Sequence, residues 1–122
     1  MKRRLLRVWL VVSASVLLSS FACSSSEPED EACTVTAPTA CPTPAVTYAD
    51  VAPIFSTHCA SCHTGIANAP WPFNEYKDAA DWQELIRANI LDCTMPPKDS
   101  GVRLSNEDRL KILTWVRCGA PP

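Results

Sequence analysis

The chain has 122 residues, with seven cysteines, eleven prolines and only three glycines. That length holds one small domain, and so many cysteines in it point to an oxidising compartment or to metal chemistry. The formal charge of −2 conceals an asymmetry, because Lys2, Arg3, Arg4 and Arg7 stand at the extreme N-terminus. From Cys23 onward seven basic residues face thirteen acidic ones, a net of −6 that excludes a nucleic-acid binder.

The first 22 residues read as an export signal. "MKRRLLR" is a positively charged start, "VWLVVSASVLL" an apolar stretch, and small residues lead up to Cys23. The rival is a membrane-spanning anchor, but the uncharged run from Val8 to Ala22 is 15 residues, against the ~18–20 a spanning helix needs. The end of the segment resembles a bacterial lipoprotein signal, in which the cysteine becomes the lipidated first residue. Ala22, Cys23 and the acidic, serine-rich "SSSEPEDE" fit that pattern. Ser20, where a branched aliphatic is preferred, and the bulky Phe21 depart from it, and ordinary cleavage would leave a soluble protein. The expected location is outside the cytoplasm, on the periplasmic face of a bacterial membrane if Cys23 is lipidated.

Residues 23–46 are rich in Ser, Glu, Pro, Thr and Ala and nearly free of large apolar side chains, so a disordered tether is expected there. Cys33 and Cys41 lie inside it, eight apart, and a local disulfide between them is plausible in an exported chain. Order is expected from residue 47, giving a domain over 47–122. A first helix is predicted from an N-cap at Asp50 into "VAPIFSTHCASCH", with Val51, Ile54 and Phe55 at helical spacing. Pro53 would then fall in the first turn, where a missing N–H is tolerated. The proline-punctuated "TGIANAPWPFNEY" reads as a loop. A second helix is predicted over 78–91, with Trp82, Leu85, Ile86 and Ile90 near one face. "DCTMPPKDSGV" cannot be helical through its two prolines. Ser105 then caps a third helix, with Asp108 close to a capping-box position and Glu107 at the positive end of the dipole. Its apolar residues Leu110, Ile112, Leu113, Trp115 and Val116 cover more than half the circumference, enough to pack on both another helix and a flat apolar ligand. Three short helices and long stiff loops make a poor core for so small a domain without a staple.

The motif Cys59-Ala60-Ser61-Cys62-His63 admits three readings. Zinc needs a second ligand pair, and His58, Cys93 and Cys118 supply no second C-x-x-C. A thioredoxin-like dithiol belongs at a helix start after a strand, whereas an apolar helical segment precedes this motif. Haem attachment accounts for each residue: two thiols for the two vinyl groups, and the adjacent histidine as proximal iron ligand. Export agrees with it, since bacteria attach this haem outside the cytoplasm. Four structural disulfide cysteines or more, with an idle histidine, remain the plain alternative. A distal ligand is then expected, and Met95 is the single methionine after the signal. Its soft thioether suits haem iron and raises the potential, and Pro96 and Pro97 stiffen its loop. Core filling is its ordinary role.

At these residues the chain resembles the small class I c-type cytochromes. It is similar to a bacterial subgroup with a "V-A-P-I-F…H-C-x-S-C-H" start, a "M-P-P" loop and a final "W-V-x-x-G-A-P", over residues 48–121. The resemblance implies an all-α fold wrapped around one covalently bound haem c, held by Cys59 and Cys62, with His63 proximal and Met95 distal. It implies that Phe55 crosses the last helix near Trp115, and that a proline carbonyl accepts from the proximal imidazole. That proline has no clean match here, and Pro70 is the candidate. The expected function is one-electron transfer, with no enzymatic activity and no small-molecule substrate. Other redox proteins are expected to meet it transiently, basic patches docking on its acidic surface. The alternatives are a ligand-binding or peroxide-reducing haem with a labile Met95, and a lipoprotein interaction module without cofactor.

The remaining cysteines allow three connectivities. Local logic favours Cys93–Cys118, tying the Met95 loop to the last helix, together with Cys33–Cys41. His58 reads as a surface or haem-edge residue, Trp71, Trp82 and Trp115 as core or haem wall, and Arg87 as solvated.

Overall fold

The computed structural model describes residues 32–64 and 71–122. The expected export signal, Cys23 and Pro70 lie outside these residues. Among them the structure is helical and strand-free: α1 (Tyr48–Ile54), a π-helical continuation (Phe55–Cys59), α2 (Tyr76–Asp81), α3 (Gln83–Leu91) and α4 (Asn106–Arg117).

The first helix starts earlier than the sequence suggests. Its N-cap is Thr47, and Asp50 stands at N3. The Asp50 carboxylate accepts from the Thr47 N–H at 2.8 Å and from its hydroxyl at 3.0 Å, satisfying a donor that the helix itself leaves free. Pro53 is therefore interior, and it withholds the amide that the Ala49 carbonyl would receive. Beyond it the chain widens into a π turn, closed by the Ala60 N–H on the Phe55 carbonyl at 2.9 Å. The helix expected over 78–91 breaks into two at Trp82, whose φ of −108° and ψ of 14° leave the helical region. α4 begins where expected: Ser105 accepts from the Asp108 N–H at 3.0 Å.

α1 and α4 cross at an aromatic knot. Trp115 meets the edge of Phe55 at 5.8 Å, and Tyr48 at 6.1 Å, so Phe55 lies where the resemblance placed it. The chain end closes the knot. The Pro121 carbonyl accepts from the Tyr48 N–H and the Trp115 indole, both at 2.9 Å. Ile112, Leu113 and Val116 face inward as predicted, but Leu110 is 45 % exposed and Arg109 only 6 %. Helical spacing explains the correction. Arg109 stands at i−3, i−4 and i−7 from Ile112, Leu113 and Val116, whereas Leu110 shares a face with Thr114 and Arg117.

Two further expectations are overturned. The disulfides are Cys33–Cys93 and Cys41–Cys118, not Cys33–Cys41 and Cys93–Cys118. Cys93 lies by the start of α4 and Cys118 at its end, and α4's twelve residues span about 18 Å. A disulfide tolerates a Cα separation of no more than about 7 Å. Likewise, Cys33 and Cys41 sit toward opposite ends of α4, beside Asn106 and Arg117 respectively, so they do not meet each other. Nor does a tether run to residue 46. Residues 33–46 form a strap laid along α4. Asn106 donates to the Ala32 carbonyl at 3.0 Å and accepts from the Thr34 N–H at 3.3 Å. At the far end Arg117 donates to the Thr39 carbonyl at 3.0 Å. Val35 and Val46 pack on the core. The segment's composition was too polar to announce this, because the bridges and backbone carbonyls hold it in place of a hydrophobic face.

Candidate functional site

The Cys59–His63 motif lies on the turn that leaves the π segment. The N–H groups of Cys62 and His63 both point back to the Cys59 carbonyl, at 3.1 and 2.9 Å, so the five residues coil into one compact turn. A π turn adds one residue to the helical repeat and swings everything after it about 100° around the axis. Pro53 and this turn together set which way the motif faces.

What it faces is an apolar hollow open to solvent on one side. Phe55, Trp71, Phe73, Trp82, Leu85 and Ile86 supply most of its wall, Cys59, His63 and Met95 open onto it, and Asn89 is its polar exception. A second solvent-open hollow, lined by Pro96, Pro97, Val102 and Leu104, shares Cys59, His63, Ile90 and Met95 with the first. Residues 32 positions apart in the chain, His63 and Met95, thus border the same two hollows. Trp82, Leu85 and Met95 are each more than a third exposed and form part of the rim. Trp71 packs against Trp82 at a tilt of 40°, with ring centres 4.2 Å apart.

His63 packs on the Phe73 ring at 4.6 Å. Its Nδ1 is buried and has no hydrogen-bond partner, and burial lowers its pKa, while the Trp71 backbone acts weakly the other way. A neutral imidazole, the form that coordinates a metal, is therefore favoured. Pro70, the expected acceptor, is outside the described residues. The backbone of the next residue, Trp71, is close enough to the imidazole to raise its pKa, yet Nδ1 makes no hydrogen bond.

The six described cysteines divide into four in bridges and two free thiols, Cys59 and Cys62. Burial, reinforced by the neighbouring Cys62, pushes the Cys59 thiol up to about 11. A redox dithiol needs the opposite, a thiol whose pKa falls toward neutrality. Among the described residues no group of three His, Cys, Asp or Glu side chains converges on one point. Cys62 borders the second hollow only, so that hollow carries both thiols, a neutral imidazole and a thioether on its walls, and with the apolar first hollow beside it suits a flat apolar prosthetic group.

Other predicted residues fall in place around it. His58 borders the second cavity, Arg87 is exposed, and Trp115 belongs to the α1–α4 knot, away from the hollow. Asn89 and Arg109 were not anticipated. For Arg109 the signal was its i, i+3, i+4, i+7 relation to the buried face. For Asn89, which donates to Leu85 and accepts from Thr94, no pattern in the sequence marks it.

A family model described as cytochrome c oxidase, cbb3-type, subunit III matches residues 46–116, more than half of the chain. No curated protein matches the chain, and no solved structure does.

Proposed function

The chain belongs to the family described as cytochrome c oxidase, cbb3-type, subunit III, a haem-binding electron-transfer module, and from that premise we propose that it is a one-electron carrier in which His63 and Met95 would hold the haem iron. Membership in a c-type family means a covalently bound haem c with iron. When bound, that group supplies an Fe(III)/Fe(II) couple. Cys59 and Cys62 are the residues that would carry the two thioether bonds. His63, kept neutral by burial, offers a ring nitrogen without first losing a proton. Met95 offers a soft sulfur, which favours the reduced iron. Phe55, Phe73, Ile86, Ile90 and Ile112 line the hollow with hydrocarbon and keep water from it. Two strong ligands on stiff elements leave little to move when the charge changes, which is what a carrier requires. No catalytic residue enters this reading.

The observation that carries it is the shared border of His63 and Met95 on both hollows. The test is the absorption spectrum of the exported, haem-loaded protein. Low-spin ferric iron with a sulfur–iron charge-transfer band is expected, and Met95→Ala should turn it high-spin and open to CO. An unchanged spectrum in that variant would remove Met95 from the iron.

The alternative is a ligand-binding or peroxide-reducing haem with a labile Met95. Rapid CO binding by the unmutated ferrous protein would establish it.

Partners are redox proteins, and the proposed encounters are transient. Residues 1–22 are proposed as an export signal and Cys23 as a lipid anchor on the periplasmic face. No described helix is long and apolar enough to cross a membrane. Intact mass of the exported protein reports haem and lipid together. A mass without acyl chains would discard the anchor and leave the carrier.

A further inference from the structure

The inward face of α4 is hydrocarbon at Ile112, Leu113 and Val116, yet Arg109 on that same face is only 6 % exposed. A guanidinium remains charged at any physiological pH, and its removal from water is costly unless partners replace the lost hydration. Among the described residues no carboxylate pairs with it. Its partners are two backbone carbonyls: Nε donates to Leu104 at 3.3 Å and Nη1 to Met95 at 3.0 Å. Both belong to the connection between α3 and α4, one near its start and one at its end. The guanidinium therefore closes that loop on itself and fastens it to α4.

Met95 lies in the loop between α3 and α4, outside any helix, so the direction of its side chain depends on how its backbone is held. On the amide side that backbone is held by α3. Asn89 accepts from the Thr94 N–H at 3.1 Å and the Met95 N–H at 3.4 Å, and its side chain accepts from the Thr94 hydroxyl at 2.7 Å. On the carbonyl side the described hold is Arg109. Arg109 borders neither of the two hollows shared by His63 and Met95; it lines a separate cleft of about 1040 Å³ between the strap and the loop. Whatever it does for the site, it does through the two peptides it holds, Met95 and Leu104, both of which border the second hollow.

We propose that Arg109 is a positioning residue that holds the Met95 backbone so that the thioether stays turned toward the hollow it shares with His63. The inference rests on Met95 being the distal ligand. Arginine suits the task because its planar fork reaches two carbonyls at once, which a lysine ammonium on a flexible stem does not reproduce.

The test compares haem-loaded Arg109→Gln, Arg109→Lys, Met95→Ala and Leu113→Ala. Leu113 is buried in the core and borders neither hollow, so it reports simple destabilisation. Arg109→Gln should lower the reduction potential and weaken the sulfur–iron band. Its CO affinity should rise on the order of tenfold, because the Met-off fraction grows. Arg109→Lys should fall between it and the parent. Leu113→Ala should lower Tm with the parent's band and CO behaviour. If Met95→Ala loses the band while both Arg109 variants keep the parent's band, potential and CO affinity, the positioning role is wrong and the ligand stands. If Met95→Ala keeps the band, the ligand assignment fails and the positioning role fails with it. Should Arg109→Gln yield no haem-loaded protein, the lysine variant decides between the same outcomes.

Discussion

A single carboxylate shows how local chemistry sets a boundary in this fold. Asp50 accepts from the Thr47 N–H and hydroxyl, and these bonds, the backbone one first, hold its pKa below the ordinary value. The folded chain thus binds this proton less readily than the unfolded one. The stabilisation is complete above the unfolded pKa of about 3.9 and is lost as pH falls through the lowered folded value. Asp50→Ala should therefore lower Tm at pH 6, and the gap to the parent should shrink toward pH 3. A gap that does not change with pH would mean that the capping bonds contribute nothing. The sequence placed a cap within three residues of the right one but chose Asp50 itself, because Asp is a good N-cap and the choice spared Pro53 an interior position. The structure accepts the interior proline and absorbs it in a π turn.

At the scale of elements, the α1–α4 crossing is where the domain is held. Trp115 is fully buried, touches Phe55 and Tyr48, and donates to the Pro121 carbonyl. Trp115→Ala should cost about 3–5 kcal/mol, a large share of the ~5–15 kcal/mol expected of a whole domain. Trp115→Phe keeps most of the ring contact and loses one hydrogen bond, a loss of about 1 kcal/mol. Denaturant midpoints of the two haem-loaded variants check the ordering, and equal losses would mean that the indole bond, not the ring packing, holds the crossing. This contact was legible in advance, since Phe55 and Trp115 stand at motif positions of the resembled family. The break at Trp82 was not. "DAADWQELIRANIL" has helical composition throughout, and no glycine or proline announces where α2 ends and α3 begins.

Over the whole molecule, the strap makes up for a small core. The bridges Cys33–Cys93 and Cys41–Cys118 close separations of 60 and 77 residues. The chain-entropy estimate for loops of that length is about 4 kcal/mol each, though interleaved bridges do not add. Replacing Cys41 and Cys118 together by Ser should lower stability by about 2–4 kcal/mol and leave the Met95 loop pinned by the other bridge. Replacing Cys33 and Cys93 should lower stability similarly and also weaken the sulfur–iron band, because Cys93 is two residues from Met95. Non-reduced peptide mapping checks the pairing directly. A peptide linking Cys93 to Cys118 would refute it.

The sequence by itself determined the Ser105 cap of α4, and it carried the proposal of haem attachment at Cys59–His63 with Met95 as the second ligand, through spacing and side-chain type over distances the local chain controls. Only the tertiary structure decided which cysteines meet, that a polar segment lies along α4, and that Arg109 turns inward while Leu110 turns out. Those outcomes depend on which ends of which helices come together. An 18-Å helix separating Cys93 from Cys118, or a carbonyl waiting for a guanidinium, exists only once the chain has closed on itself.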